Sequence, residues 1–93
     1  MANLEEYRQE IDQLDQGLIE LFEKRMEVVR KISEYKKEYN LPILNSTREE
    51  EVEKKSIAYL KNKEYSQFIK EFFKVIMECS KRYQAILFND KNN

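Results

Sequence analysis

Arg25 interrupts an apolar series that runs Leu4, Tyr7, Ile11, Leu14, Leu18, Leu21, Arg25, Val28, Ile32, Tyr35 and Tyr39 in alternating steps of three and four. That spacing marks one seam of a helix, and a charge in such a seam is costly to bury unless it is paired. Arg25 therefore sets the register of a packed helix, or snorkels to its edge, or is a guanidinium held in place to grip an anion. Val29, Ile32 and Lys36 follow it at steps of four, three and four and share its face. Arg25 and Lys36 then stand about 16 Å apart along the helix axis, on either side of a patch floored by Ile32. Two cations so placed suit a small dianion that bridges them.

A second series places small polar groups among apolar ones. Met77, Ser80 and Gln84 continue a line begun at Phe73. They are boundary residues of a helix, or the amide of Gln84 and the hydroxyl of Ser80 face a ligand oxygen, since a buried amide wants partners. Arg48 and Glu49 open another segment, where the helix dipole favours a carboxylate and an arginine has a solvated role open to it. Consecutive carboxylates at Glu49, Glu50, Glu51 and Glu53 point in different directions on a helix, so no metal site is expected from them. Arg8 lies about 25 Å from Arg25 along the helix axis and roughly 100° around it, so it cannot share a small site with Arg25 of the same chain. It can reach the Arg25 site of a second copy whose long helix runs antiparallel.

The composition excludes most other chemistry. The 93 residues include one Gly, one Pro, one Cys and no His. Without His there is no Ser-His-Asp triad, no Cys-His pair and no imidazole ligand. One Cys forms neither an internal disulfide nor a zinc-thiolate cluster, which fits a reducing, cytoplasmic setting. One Gly builds no phosphate-cradling loop. The 17 Lys+Arg against 18 Asp+Glu leave a net charge of −1, a poor match for nucleic acid or an anionic membrane. Charged residues interrupt Met1 to Leu21, so neither a signal peptide nor a membrane span is expected. What remains is chemistry done by charge, hydrogen bonds and shape.

These residues need helices to position them. Scarce Gly and Pro with abundant Glu, Lys, Leu and Ile predict an all-α chain of one domain, residues 1–93, with one long and two shorter helices. The first spans about 4–40, opened by an Asn3 cap with Glu6 as its partner and stopped by Asn40-Leu41-Pro42. The second spans about 46–62, opened by the capping-box sequence Ser46-Thr47-Arg48-Glu49. The third spans about 65–88, and Phe68, Ile69, Phe72, Phe73, Ile76, Met77, Tyr83, Ile86 and Leu87 give it two adjoining stripes, so much of it should be buried. Residues 89–93 read as a frayed tail. A first helix of about 55 Å is longer than a small domain is wide, so it needs a partner along its length, and a second copy of itself is the best candidate.

Taken in order, these residues resemble the all-helical (type II) chorismate mutases from about Leu4 to Leu87. The likeness is carried by Tyr7-Arg8-Gln9-Glu10-Ile11-Asp12-Gln13-Leu14-Asp15, by Arg25 in the seam with Lys36 eleven residues on, by Pro42-Ile43-Leu44-Asn45-Ser46-Thr47-Arg48-Glu49, and by Ile76-Met77-Glu78-Cys79-Ser80 followed by Gln84. The resemblance implies an intertwined homodimer with two sites, each closed by an arginine of the other chain. It also implies rearrangement of chorismate to prephenate, the branch step toward phenylalanine and tyrosine, with no cofactor and no metal.

By position, the resemblance gives Arg25 and the other subunit's Arg8 the substrate carboxylates. It gives Lys36 a carboxylate and the ether oxygen, and Gln84 the same ether oxygen. Glu49 would accept from the ring hydroxyl, Ser80 and Arg48 would line the site, and Ile32 and Met77 would pack against the ring. Asn45, where family members often carry Asp, would also contact the substrate. Gln84 stands where some carry Glu, which implies no requirement for acid pH. Two rival readings use the same residues. A lyase that eliminates pyruvate from isochorismate would share the dicarboxylate-binding groups. A non-enzymatic helical dimerisation module would explain the heptads and leave Arg25, Lys36, Ser80 and Gln84 without a reason.

Overall fold

In the computed structural model, which describes residues 3–90, the chain forms α1 (Leu4–Glu38), α2 (Ser46–Tyr59), a single 3-10 turn (Lys63–Tyr65) and α3 (Ser66–Asp90). The described residues contain three α-helices and no strand. The molecule measures 58 × 28 × 14 Å, and its long dimension is that of α1. Asn89 and Asp90, expected in a frayed tail, continue α3, while residues 91–93 lie outside the described residues.

Local chemistry sets the helix ends. Asn3 caps α1 in both directions: its side chain accepts from the Glu6 amide at 3.0 Å, and the Glu6 carboxylate accepts from the Asn3 amide at 3.3 Å. At the other end the helix stops two residues before the expected Asn40. Asn40 adopts a left-handed conformation, φ 54°, while the Leu41 amide donates to the Lys36 carbonyl at 2.8 Å and the Asn40 amide to that of Lys37 at 3.4 Å. That pair of bonds is a Schellman cap, so the stop belongs to Asn40, and Pro42 follows it.

The second helix is capped one residue earlier than expected. Asn45, not Ser46, accepts from the Arg48 amide, at 3.0 Å, and Ser46 is the first helical residue. It ends at Tyr59 instead of near Asn62, because Leu60 turns to an extended conformation and Asn62 caps the 3-10 turn instead.

Side-chain pairs give the topology. Arg25 meets Ser80, and Lys37 donates to the Phe88 carbonyl at 3.0 Å, so α1 and α3 run parallel. Glu49 meets Lys81 and Glu53 meets Lys70, so α2 runs antiparallel to α3. The chain thus folds as two long parallel helices joined by a shorter antiparallel one. Among the described residues, no helix is long and apolar enough to cross a membrane.

Packing departs sharply from a closed core. Val29 is the one apolar side chain that is buried among the described residues; the others buried are Ser33, Ser56, Ser80 and Gln84. The seam of α1 is bare, with Leu14 64% and Leu21 63% exposed. The expectation that α3 would be largely buried does not hold within one chain: Phe68, Phe72, Val75 and Ile86 are exposed, and its two buried positions are polar. The reason is geometric, since α1 and α2 together cover one side of α3 only. Every described residue up to Gln16 is exposed as well. Monomeric soluble proteins rarely leave apolar surface on this scale uncovered. Gly17 lies mid-helix with open space where a Cβ would stand, and nothing in the structure explains its choice.

Candidate active site

The three helices converge on a cavity of about 210 Å³. From α1 come Arg25, Val29, Ile32 and Lys36, at the steps of four, three and four that put them on one face. The connection to α2 supplies Ile43 and Asn45, α2 supplies Arg48, Glu49 and Val52, and α3 supplies Met77, Ser80, Lys81 and Gln84. Drug-sized sites usually span about 300–1,000 Å³, so this one suits a small ligand. A larger cleft of about 630 Å³ runs between α2 and α3, where Lys70 pairs with Glu53 at 3.5 Å and Lys81 with Glu49 and Glu78. The smaller cavity is where unpaired chemistry collects.

Every residue singled out from the sequence lines this cavity except Arg8. Arg25 donates from Nη1 to the Ser80 hydroxyl at 2.6 Å, and that hydroxyl donates onward to the Ile76 carbonyl at 2.9 Å. Lys36 donates from Nζ to the Ile43 carbonyl at 2.8 Å. Both cations are thus held by neutral oxygens, and among the described residues neither forms an ion pair. Burial pushes the Arg25 guanidinium below its ordinary value, helped by the nearby positive charge of Arg48, and burial likewise pushes Lys36 down. The folded chain holds these charges against their preference for water, and an anion between them would relieve the cost.

The remaining groups complete a polar wall. Gln84 is 6% exposed, and its Oε1 is buried without a hydrogen-bond partner. A satisfied core does not leave such an acceptor orphaned, whereas a ligand-binding face does. Glu49 pairs with Lys81 at 3.0 Å, and Arg48 turns outward to Glu51 at 3.3 Å while its chain still borders the cavity. Asn45 borders it too, with its side-chain oxygen committed to the α2 cap. The acidic run divides its carboxylates: Glu49 goes to Lys81, Glu51 to Arg48 and Glu53 to Lys70.

Sequence reasoning named Val29 as sharing the face of Arg25 without giving it a role, and did not single out Ile43, Val52 and Lys81 as part of this wall. Val29 and Lys81 had a signal, since each lies four residues from a chosen position, Arg25 and Met77 respectively. Ile43 and Val52 had none beyond being apolar. Arg8, exposed on the first half of α1, does not line the cavity of its own chain.

Such a cavity can hold a small dianion in a folded shape. It offers donors for negative charge that develops on an oxygen, and it contains no nucleophile or general base that the geometry activates.

The sequence model of the type II chorismate mutases matches residues 7–85. The chain is also 45% identical over 49 residues to the T-protein of Haemophilus influenzae, a stretch that is 53% of this chain and 13% of that protein. The chain therefore spans a small part of the length of that curated relative. No solved structure matches it.

Proposed function

We propose a function from one premise: the chain belongs to the type II chorismate mutase family. The cavity rearranges chorismate to prephenate, a step toward phenylalanine and tyrosine, in a site shared between two copies of the chain. The observation that carries this reading is the pair Arg25 and Lys36, which face one cavity from one helix and are held only by neutral oxygens.

The reaction moves six electrons around a ring. The carbon–oxygen bond of the enolpyruvyl ether breaks while the methylene carbon of that group bonds to the ring carbon bearing the carboxylate. No proton changes hands, so neither base nor cofactor is required. Negative charge gathers on the ether oxygen in the transition state. Lys36 and the amide of Gln84 stabilise it there more than in the ground state, from a partly dry wall that does not need to reorganise. Arg25 grips a carboxylate through the donors that Ser80 leaves free, and Lys36 shares a carboxylate as well. Arg48 and Ser80 line the site, Ile32 and Met77 pack against the ring, and Glu49 accepts from the ring hydroxyl. Held in this way, the flexible substrate keeps its reacting ends together, which removes much of the entropic barrier.

A second copy completes the site. The bare seam of α1 and the single buried apolar residue among those described support a homodimer in which this seam is covered. With the two α1 helices antiparallel, Arg8 of the partner subunit closes the cavity over the second carboxylate. Asn45 acts through the α2 cap and not through the substrate. A dimerisation module alone would account for the seam and leave the unpaired cations unexplained.

Incubation of the purified protein with chorismate, and separately with isochorismate, tests the reading by product. Prephenate from chorismate is expected. Pyruvate from isochorismate without any prephenate would move the assignment to the lyase.

A further inference from the structure

We propose that Lys81 is a positioning residue for this reaction: by binding Glu49 in the wall of the cavity, it keeps that carboxylate clear of the substrate's anion-binding groups and oriented toward the ring hydroxyl. The inference rests on the reading of the cavity as a chorismate site.

Glu49 is the one carboxylate among the residues that line the cavity, and it shares the space with Arg25, Lys36 and Arg48. A free glutamate in that company would turn toward those cations and take the place of a substrate carboxylate. The structure holds it elsewhere. Lys81 Nζ lies 3.0 Å from Glu49 Oε1, which leaves Oε2 to accept from a ligand hydroxyl. Lys81 is itself restrained, since Nζ also lies 3.3 Å from Glu78 Oε2, one turn back on α3. A charged chain Glu78–Lys81–Glu49 therefore spans from α3 to the first turn of α2. The inner pair is about a third exposed (33% for Lys81, 31% for Glu49), and Glu78, at 60%, is open to water. The two carboxylates hold the ammonium of Lys81 above its ordinary value, Glu49 first among them.

The same residue separates two spaces. Lys81, Glu49 and Met77 border both the small cavity and the larger cleft between α2 and α3. The Lys81–Glu49 pair lies in the wall that the two spaces share. Removing Lys81 would free Glu49 to rotate inward and would add an uncompensated negative charge where a dianion must bind. The effect falls on binding, because Glu49 meets the ring hydroxyl and not the breaking bond.

The test is steady-state kinetics on the full chain. Lys81→Met is expected to raise KM for chorismate about fivefold, with kcat held within about twofold. Lys81→Arg should restore KM to nearly the parent value, and Glu78→Gln, which loosens Lys81 without removing it, should raise KM by less. In a Glu49→Gln background, Lys81→Met should have no further effect, because the two residues act as one unit. An unchanged KM in Lys81→Met, or an equal rise in the Glu49→Gln background, would overturn the assignment while chorismate turnover by the parent stands. A parent that turns over no chorismate would overturn this inference together with the function it rests on. Glu78→Gln supplies the answer should Lys81→Met not fold.

Discussion

Arg25 on α1 donates to Ser80 on α3 across 2.6 Å, joining positions 55 apart in the chain. The serine hydroxyl spends its own hydrogen on the Ile76 carbonyl, so it meets the guanidinium purely as an acceptor. A guanidinium carries five N–H donors, and this contact occupies one. Arg25 is therefore aimed but not neutralised. The same holds for Lys36 on the Ile43 carbonyl, at 2.8 Å. Positioning without neutralisation is what distinguishes an anion site from a structural ion pair.

Lys36 is expected to make the largest single contribution to the chemical step. Lys36→Ala should lower kcat/KM by about a hundred- to a thousandfold, the range for removing one preorganised donor to a developing oxyanion. Circular dichroism should show unchanged helicity. Near-normal turnover in the folded variant would contradict the role given to Lys36.

Subunit mixing tests the contribution of Arg8 across chains. Arg8→Ala and Lys36→Ala dimers should each be nearly inactive. In a mixed dimer, one site joins an intact Lys36 to an intact Arg8, and the other site has lost both. After random exchange of equal amounts, half of the dimers are mixed and half of their sites are intact, so about a quarter of parent activity should return. No recovery after verified exchange would place Arg8 outside the site.

The pH dependence follows from the buried lysine. Burial sets the Lys36 ammonium below the ordinary 10.5, and the proposed mechanism requires its charged form. The profile of kcat/KM, which reports the free enzyme, should be level near neutrality and fall on the alkaline side at a pH below 10.5. A bound dianion favours the charge, so the fall in kcat should come at higher pH. For stability the sign is opposite. The folded chain binds this proton less tightly than the unfolded one, so the group costs stability at neutral pH, and the cost disappears as pH rises toward 10.5. Gln84 carries no charge, so no acid limb is expected from it. Gln84→Glu should create one, with activity kept only where the new carboxyl is protonated.

Asn45 separates capping from ligand contact. Its side chain accepts from the Arg48 amide at 3.0 Å. Asn45→Ala should cost about 1 kcal/mol of stability, the usual loss for a removed cap, and be seen as a lowered thermal midpoint. Asn45→Asp keeps the acceptor and should preserve both stability and turnover. A Asn45→Asp variant that melts like the parent but loses activity would show that Asn45 meets the substrate directly.

Much of this molecule was legible in its sequence, and the gaps have physical causes. The series from Leu4 to Tyr39 placed α1 and set Arg25, Ile32 and Lys36 on one face, because three- and four-residue steps report helix geometry directly. Helix ends were read less well. A left-handed Asn40 and an asparagine cap at Asn45 depend on backbone angles that an asparagine permits but does not dictate. The apolar stripes of α3 suggested burial, yet among its described residues the chain by itself buries only Ser80 and Gln84, since a periodic pattern says which residues want cover and not which chain supplies it. Lys81 stands one turn from Met77, but its pairing is not reported by that spacing. Its partner Glu49 stands on another helix, and no local spacing relates them.

The most direct test of the account is the fate of chorismate in the presence of the purified chain after dialysis against a chelator. A saturable loss of chorismate absorbance is expected, with an equal amount of prephenate formed and a rate that neither chelator nor added cofactor changes. Chorismate that persists at the uncatalysed rate, at every concentration of folded protein, would contradict it.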